Sequence, residues 1–259
     1  MELVEMFNYY YHEMADPRVT DWPLMGNAWP LFLILASYVY FVFYYGPRFM
    51  MNRPAYALKT FVQLYNILQV IANAYLVYAV LTVYPDATAL RCSTVDYSSN
   101  PNAIKIARTF YYFTLLKIVD LMETGVFVLR KKKNQISYLH LYHHLSTLFF
   151  ALLYTRYMAG GVAAFFLALN SAVHTIMYSY YLFSSIEEIK GFIHPFKRYI
   201  TIIQMVQLSF FMLKSFVGLS PSCSISKLPV ILMLPNILLN FSLFFNFYKK
   251  TYLSPKKMK

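Results

Sequence analysis

With 59% of its 259 residues hydrophobic and 13% charged, the chain lies outside the range of soluble domains, which run about 45–50% apolar and about 25% charged. Its mean hydropathy of +0.45 and its repeated long apolar runs exclude a globule with a single core and indicate a multi-pass membrane protein. The net charge of +12 does not indicate a nucleic-acid partner, because the basic residues sit between and after the apolar runs, where the positive-inside rule places them.

A membrane-spanning helix needs roughly 20 mainly apolar residues. Seven stretches meet this, at 28–45, 61–84, 107–129, 138–154, 161–183, 199–219 and 228–248. The start carries no basic region and no cleavable signal is expected, so the first helix is retained. Arg48, Arg53 and Lys59 follow helix one, and the run Arg130–Lys133 follows helix three. Lys190, Lys197 and Arg198 separate helices five and six, and Lys249, Lys250, Lys256, Lys257 and Lys259 follow helix seven. Seven spans put all four groups on one side and the acid-bearing start on the other. The expected layout is a lumenal segment at 1–27, a membrane domain at 28–248 and a basic cytosolic tail at 249–259. Lys256 and Lys257, fourth and third from the end, resemble a dilysine retrieval signal of the endoplasmic reticulum; the alternative is a basic tail on an anionic leaflet.

The two cysteines, Cys92 and Cys223, both fall in lumenal loops under this topology. An oxidising lumen lets them pair; the alternative is two free thiols in unrelated loops.

Polar residues recur at helical spacing inside the apolar runs. Helix three carries Lys117, Asp120, Glu123 and Thr124, confined to roughly a third of its circumference at about 100° per residue. Lys117 and Asp120 are spaced for an internal ion pair, either purely structural or leaving Lys117 to serve anionic substrate groups. Helix four opens with His140, His143 and His144, at i, i+3 and i+4. Asn170, His174, Tyr178 and Tyr181 form a stripe on helix five; Thr201, Gln204 and Gln207 form one on helix six. Polar faces on four successive helices are the expected signature of a chamber in an apolar bundle.

Three classes compete for that chamber. His-x-x-His-His is a ligand run in di-iron membrane desaturases and hydroxylases, but those need more histidines. Of the other three, His12 lies in the lumenal segment and His194 in a loop, so only His174 joins the cluster, and neither an iron nor a zinc centre is expected. A seven-helix transporter or receptor is the second class, but matched Gly/Pro helix interruptions are absent from the sequence. The third is an enzyme acting on a lipid substrate with histidine as nucleophile or base.

At this point the residues resemble a family. His140-x-x-His-His144, Asn170 with His174-x-x-Met-Tyr-x-Tyr-Tyr181, and Thr201-x-x-Gln-x-x-Gln207 look like the signatures of the fatty-acid elongase (ELO) family of very-long-chain 3-oxoacyl-CoA synthases. The family's Lys-x-x-Glu-x-x-Asp-Thr appears as Lys117-x-x-Asp120-x-x-Glu123-Thr124, with the acids exchanged in length but not in charge.

The resemblance implies an all-α membrane protein in which helices two to seven form an inverted six-helix barrel around an acyl tunnel, with helix one outside. It implies condensation of a long-chain acyl-CoA with malonyl-CoA, without metal or other cofactor, by a ping-pong route. His143 corresponds to the family's nucleophile and His174 to the histidine that polarises a carbonyl or stabilises the enolate. His140, His144, Asn170 and Gln204 are then orienting or hydrogen-bonding groups. Lys117, Arg130, Lys131, Tyr178 and Tyr181 are implied to position CoA, with Asp120, Glu123 and Gln207 completing the substrate-binding set. Expected partners are the bilayer, the ketoreductase, dehydratase and enoyl reductase of the cycle, and a second subunit in a homo- or heterodimer. Bulky Phe210, Phe211 and Phe216 are candidates for shortening the tunnel.

Overall fold

The computed structural model describes residues 3–85 and 91–253, and among these residues regular structure is entirely helical. The dilysine-like residues at 256–259 lie outside them. The long helices are α1 (Trp29–Met50), α2 (Lys59–Val83), α3 (Pro101–Leu129), α4 (Tyr138–Tyr157), α5 (Ala163–Ser184), α6 (Lys197–Leu219) and α7 (Leu228–Tyr248). α1, α2 and α7 are apolar and long enough to cross a membrane, as is the continuous stretch Glu187–Leu219 that contains α6. α3, α4 and α5 are long but less apolar, because they carry the charged and polar residues singled out above.

α1 runs five residues past its expected end at 45. Pro47 lacks an N–H and would clash with a carbonyl one turn back in a regular helix. The preceding turn, Phe41–Tyr45, is π-helical, and this wider turn carries the helix past the proline.

The chain folds as two compact units, Met1–Leu58 with Tyr78–Leu167, and Lys59–Val77 with Ala168–Lys259. α2 and α5 each contribute residues to both. In the first unit α1 packs on α3 and α4 through a core of Tyr38, Val42, Leu121 and Leu148, ringed by residues such as Ile34, Ile118 and Leu152. Thr155 and Thr114, both fully buried, bond each other at 2.8 Å, and Thr155 also donates to the Phe110 carbonyl. These bonds pin α4 to α3 without exposing a polar group to lipid.

The N-terminal segment is fastened by Arg18. Its guanidinium meets the Asp16 carboxylate at 2.5 Å and donates to the carbonyls of Asp96, Ala103 and Ala159 at 2.6, 2.9 and 2.9 Å. Five donors in a fixed fork suit this spread of acceptors. At Gly161, whose φ is +54°, an added Cβ would lie 2.6 Å from the Ser93 carbonyl oxygen, so the turn into α5 requires glycine.

In the second unit, α6 and α7 pack together. Lys227 caps α6 by donating to the carbonyls of Gly218, Ser220 and Cys223, and Arg198 donates to the Tyr248 hydroxyl at 2.8 Å.

Polarity is inverted relative to a soluble domain. On α2, Leu64, Leu68, Ile71, Tyr75 and Tyr78 recur at alternating four- and three-residue steps and are all exposed, whereas Asn66, Gln69 and Asn73 are buried. α6 exposes Val206, Phe210, Leu213 and Phe216 while burying Thr201, Gln207, Lys214 and Ser215. Apolar faces outward and polar faces inward are what a bilayer demands.

Candidate active site

The histidine cluster belongs to the first unit. Ser137 opens α4, its hydroxyl accepting the His140 N–H at 3.2 Å, so the three histidines occupy the first two turns. α3 supplies what they meet. Thr124 Oγ1 lies 2.8 Å from His140 Nε2 and 2.9 Å from the Tyr38 hydroxyl of α1. A relay in which Tyr38 donates to Thr124, and Thr124 to His140 Nε2, satisfies all three groups and leaves the imidazole proton on Nδ1.

One helical turn deeper on α4, His144 Nε2 stands 3.5 Å from Glu123 Oε2. The His140 and His144 rings lie 4.2 Å apart, and His143 is edge-on to His144 at 5.8 Å. Within two turns of Glu123 on α3, Lys117 and Asp120 pair at 3.0 Å, both about 2% exposed, with the ammonium also over the Phe113 ring. A charge pair this deeply buried is strongly destabilised by loss of either partner.

Glu123, His140 and His144 each offer an atom within 4.8 Å of the others, a set able to approach one metal ion. In this structure His140 Nε2 already engages Thr124, and a first-row ion bound at about 2.0–2.2 Å would need the three atoms drawn closer together.

The second unit holds the α5 stripe. His174 and Asn170 are buried, and Tyr178 is fully so. The Tyr178 ring is edge-on to His174 at 5.8 Å, to Tyr181 at 6.0 Å and to Tyr65 of α2 at 5.9 Å. Gln204 of α6 donates to the Met177 sulfur at 3.2 Å, and Gln207 is buried one turn further along.

The residues expected at the site therefore fall into two groups. Glu123, His140, His143 and His144 meet where α3 and α4 pack, the Lys117–Asp120 pair lies within two turns of Glu123 on α3, and Arg130 and Lys131 lie just past the α3 C-terminus. Asn170, His174, Tyr178, Tyr181, Gln204 and Gln207 line α5 and α6 in the other unit. Neither Cys92 nor Cys223 is a free thiol. Of the three phenylalanines considered for shortening a tunnel, Phe211 is buried, whereas Phe210 and Phe216 are exposed among the outward apolar residues of α6.

Sequence reading left out Tyr38, which reaches Thr124 across 86 positions and carries no local signal. It also left out Tyr65, Gln69 and Asn73 on α2, whose i, i+4, i+8 spacing is the same stripe signal used for α5.

Long helices with lipid-compatible outer faces and buried ionisable groups define a multi-pass membrane protein with an internal polar site. The model of the GNS1/SUR4 (ELO) family matches residues 23–259. Very long chain fatty acid elongase 1 of Mus musculus is 34% identical over 255 residues, covering 96% of this chain and 91% of the mouse protein. Very long chain fatty acid elongase 4 of Homo sapiens is 33% identical over 260 residues, covering 100% and 82%. Very long chain fatty acid elongase 7 of Rattus norvegicus is 36% identical over 194 residues, covering 74% and 69%. The chain belongs to the GNS1/SUR4 (ELO) family.

Proposed function

We propose that this protein is a condensing enzyme of fatty-acid elongation, a very-long-chain 3-oxoacyl-CoA synthase that joins a long-chain acyl-CoA to malonyl-CoA. The products are a 3-oxoacyl-CoA two carbons longer, CO2 and CoA. The observation that carries this reading is the family match over residues 23–259, within which the histidine motifs lie.

The chemistry assigned to the residues proceeds in two stages. A neutral His143 nitrogen attacks the thioester carbonyl, the C–S bond breaks, and the imidazole proton leaves with the CoA thiolate. Malonyl-CoA then loses CO2, and the electron pair of the broken C–C bond becomes an enolate. The enolate carbon attacks the acyl group, the C–N bond breaks, and the departing imidazolate takes a proton from water, which returns His143 to its neutral form. His174 polarises the carbonyl or stabilises the enolate. On α4, His143 is half-buried with its ring edge-on to His144 at 5.8 Å, next to the groups assigned to orient the reaction. Lys117, Arg130, Lys131, Tyr178 and Tyr181 position CoA, and Asp120, Glu123, Asn170, Gln204 and Gln207 orient the reacting groups.

Seven spans belong to the same proposal and rest on the apolar runs, while helices two to seven as the barrel, with helix one outside, rest on the family resemblance. A lumenal start, a cytosolic end and the layout 1–27, 28–248 and 249–259 rest on the loop charges, residence in the endoplasmic reticulum on the dilysine-like end, and the reductases and dehydratase as partners on the resemblance. The absence of a free thiol supports a Cys92–Cys223 bridge. The test is to incubate the purified protein with a panel of acyl-CoA chain lengths and labelled malonyl-CoA. Labelled 3-oxoacyl-CoA two carbons longer is the expected product, and no labelled product at any chain length would end the reading.

A further inference from the structure

The mechanism above makes no use of the buried polar face of α2. Three of its residues connect to the α5 histidine by an unbroken set of contacts inside the second unit. Asn73 Nδ2 donates to the Gln69 side-chain oxygen at 3.0 Å and to the Gln69 carbonyl at 2.9 Å. Gln69 Nε2 donates to the Tyr65 hydroxyl at 3.0 Å. The Tyr65 ring meets the Tyr178 ring at 5.9 Å and 81°, and Tyr178 meets His174 at 5.8 Å and 60°. Gln69, Asn73 and Tyr178 are fully buried, and Tyr65 and His174 nearly so.

Two amides closing on a phenol inside an apolar helix are costly compared with leucines, unless their fixed geometry is put to use. The Gln69 amide, itself held by Asn73, fixes the position of the Tyr65 hydroxyl and so the tip of the ring. Close-packed edge contacts then pass that position to Tyr178 and on to the imidazole.

We propose that Tyr65 is a positioning residue for His174, acting through Tyr178 and held in place by Gln69 and Asn73. The inference rests on the role given to His174 above. Tyr65 touches no reacting atom; it sets the angle at which the imidazole meets the carbonyl or enolate of the condensation stage. At saturating acyl-CoA, where any loss of CoA positioning through Tyr178 is masked, the attack of His143 on the thioester does not depend on it.

That separation gives a readout that general damage to the fold cannot reproduce. CoA release from acyl-CoA alone reports the first stage, and labelled product formed after malonyl-CoA addition reports the second. In the full-length protein, Tyr65→Leu is expected to slow condensation about 10–100-fold, the range for a displaced catalytic group, while the CoA-release burst stays within about twofold of wild type. Tyr65→Phe keeps both ring contacts and is expected to lose less than about fivefold, and Gln69→Leu, which frees the ring while keeping it, falls between the two. His174→Ala should lower condensation more than Tyr65→Leu does.

If Tyr65→Leu and Gln69→Leu lower burst and condensation together, or leave condensation unchanged, the positioning role is overturned while the function stands. If wild type shows no burst, or His174→Ala leaves condensation intact, the assignment of the two histidines fails and takes this inference with it.

Discussion

The two histidine-bearing regions hold their imidazoles by opposite means. In the first unit the α4 histidines sit against α3 charges, with Glu123 beside His144 and the Lys117–Asp120 pair within two turns of Glu123. In the second unit the neutral ring of Tyr178 stands against His174, with the Tyr65 ring and the α2 amides next in line. Charge pairs are strong only while both partners are present, whereas a packed neutral wall loses stability by small increments. The difference matches the chemistry assigned to each. A stage that generates thiolate and acyl-imidazole changes charge, and nearby charged groups respond to that change. A residue that donates to a carbonyl or enolate must be fixed in direction before charge develops there, which a packed wall provides.

The contrast breaks first at Lys117. Lys117→Met leaves Asp120 buried without its partner and is expected to cost about 3–5 kcal/mol. Thermal unfolding of the purified protein in detergent measures it, and the double variant Lys117→Met/Asp120→Leu should recover most of the loss. A double variant no better than the single one would show that the pair does not act as a unit. Thr124→Val removes the one hydroxyl shared by Tyr38 and His140, and is expected to cost about 1–3 kcal/mol. Its activity should fall while the Lys117–Asp120 pair keeps the cluster folded; unchanged activity would make the Tyr38–Thr124–His140 relay structural only. At the small end, Lys190→Ala breaks the exposed pair with Glu187 and should change stability by less than about 1 kcal/mol. A larger loss there would mean that surface charge, and not burial, dominates the energetics.

Much of this was legible from residue spacing. The Lys117–Asp120 pair follows from its three-residue step, and the histidines from their shared helical face; α3 ends at Leu129 as the charge run after it implies. Legibility failed in three ways. Tyr38–Thr124 and the Arg18 contacts join residues far apart in the chain, and no local pattern encodes such closure. The α2 stripe was visible, but Asn66, Gln69 and Asn73 sit among so many leucines, valines and isoleucines that the apolar signal outweighs them. A span that scores as apolar throughout still has two faces. The extension of α1 to Met50 was hidden differently, since Gly46-Pro47 reads as a helix stop unless a π-turn precedes it.

The central claim is that His143 carries the acyl group between two half-reactions. It is tested most directly by incubating wild type and His143→Ala with acyl-CoA alone and analysing both proteins by mass spectrometry. Wild type should release CoA and gain the mass of one acyl group on a peptide containing residues 138–147, and His143→Ala should do neither. An adduct of the same yield on the His143→Ala protein would contradict the account.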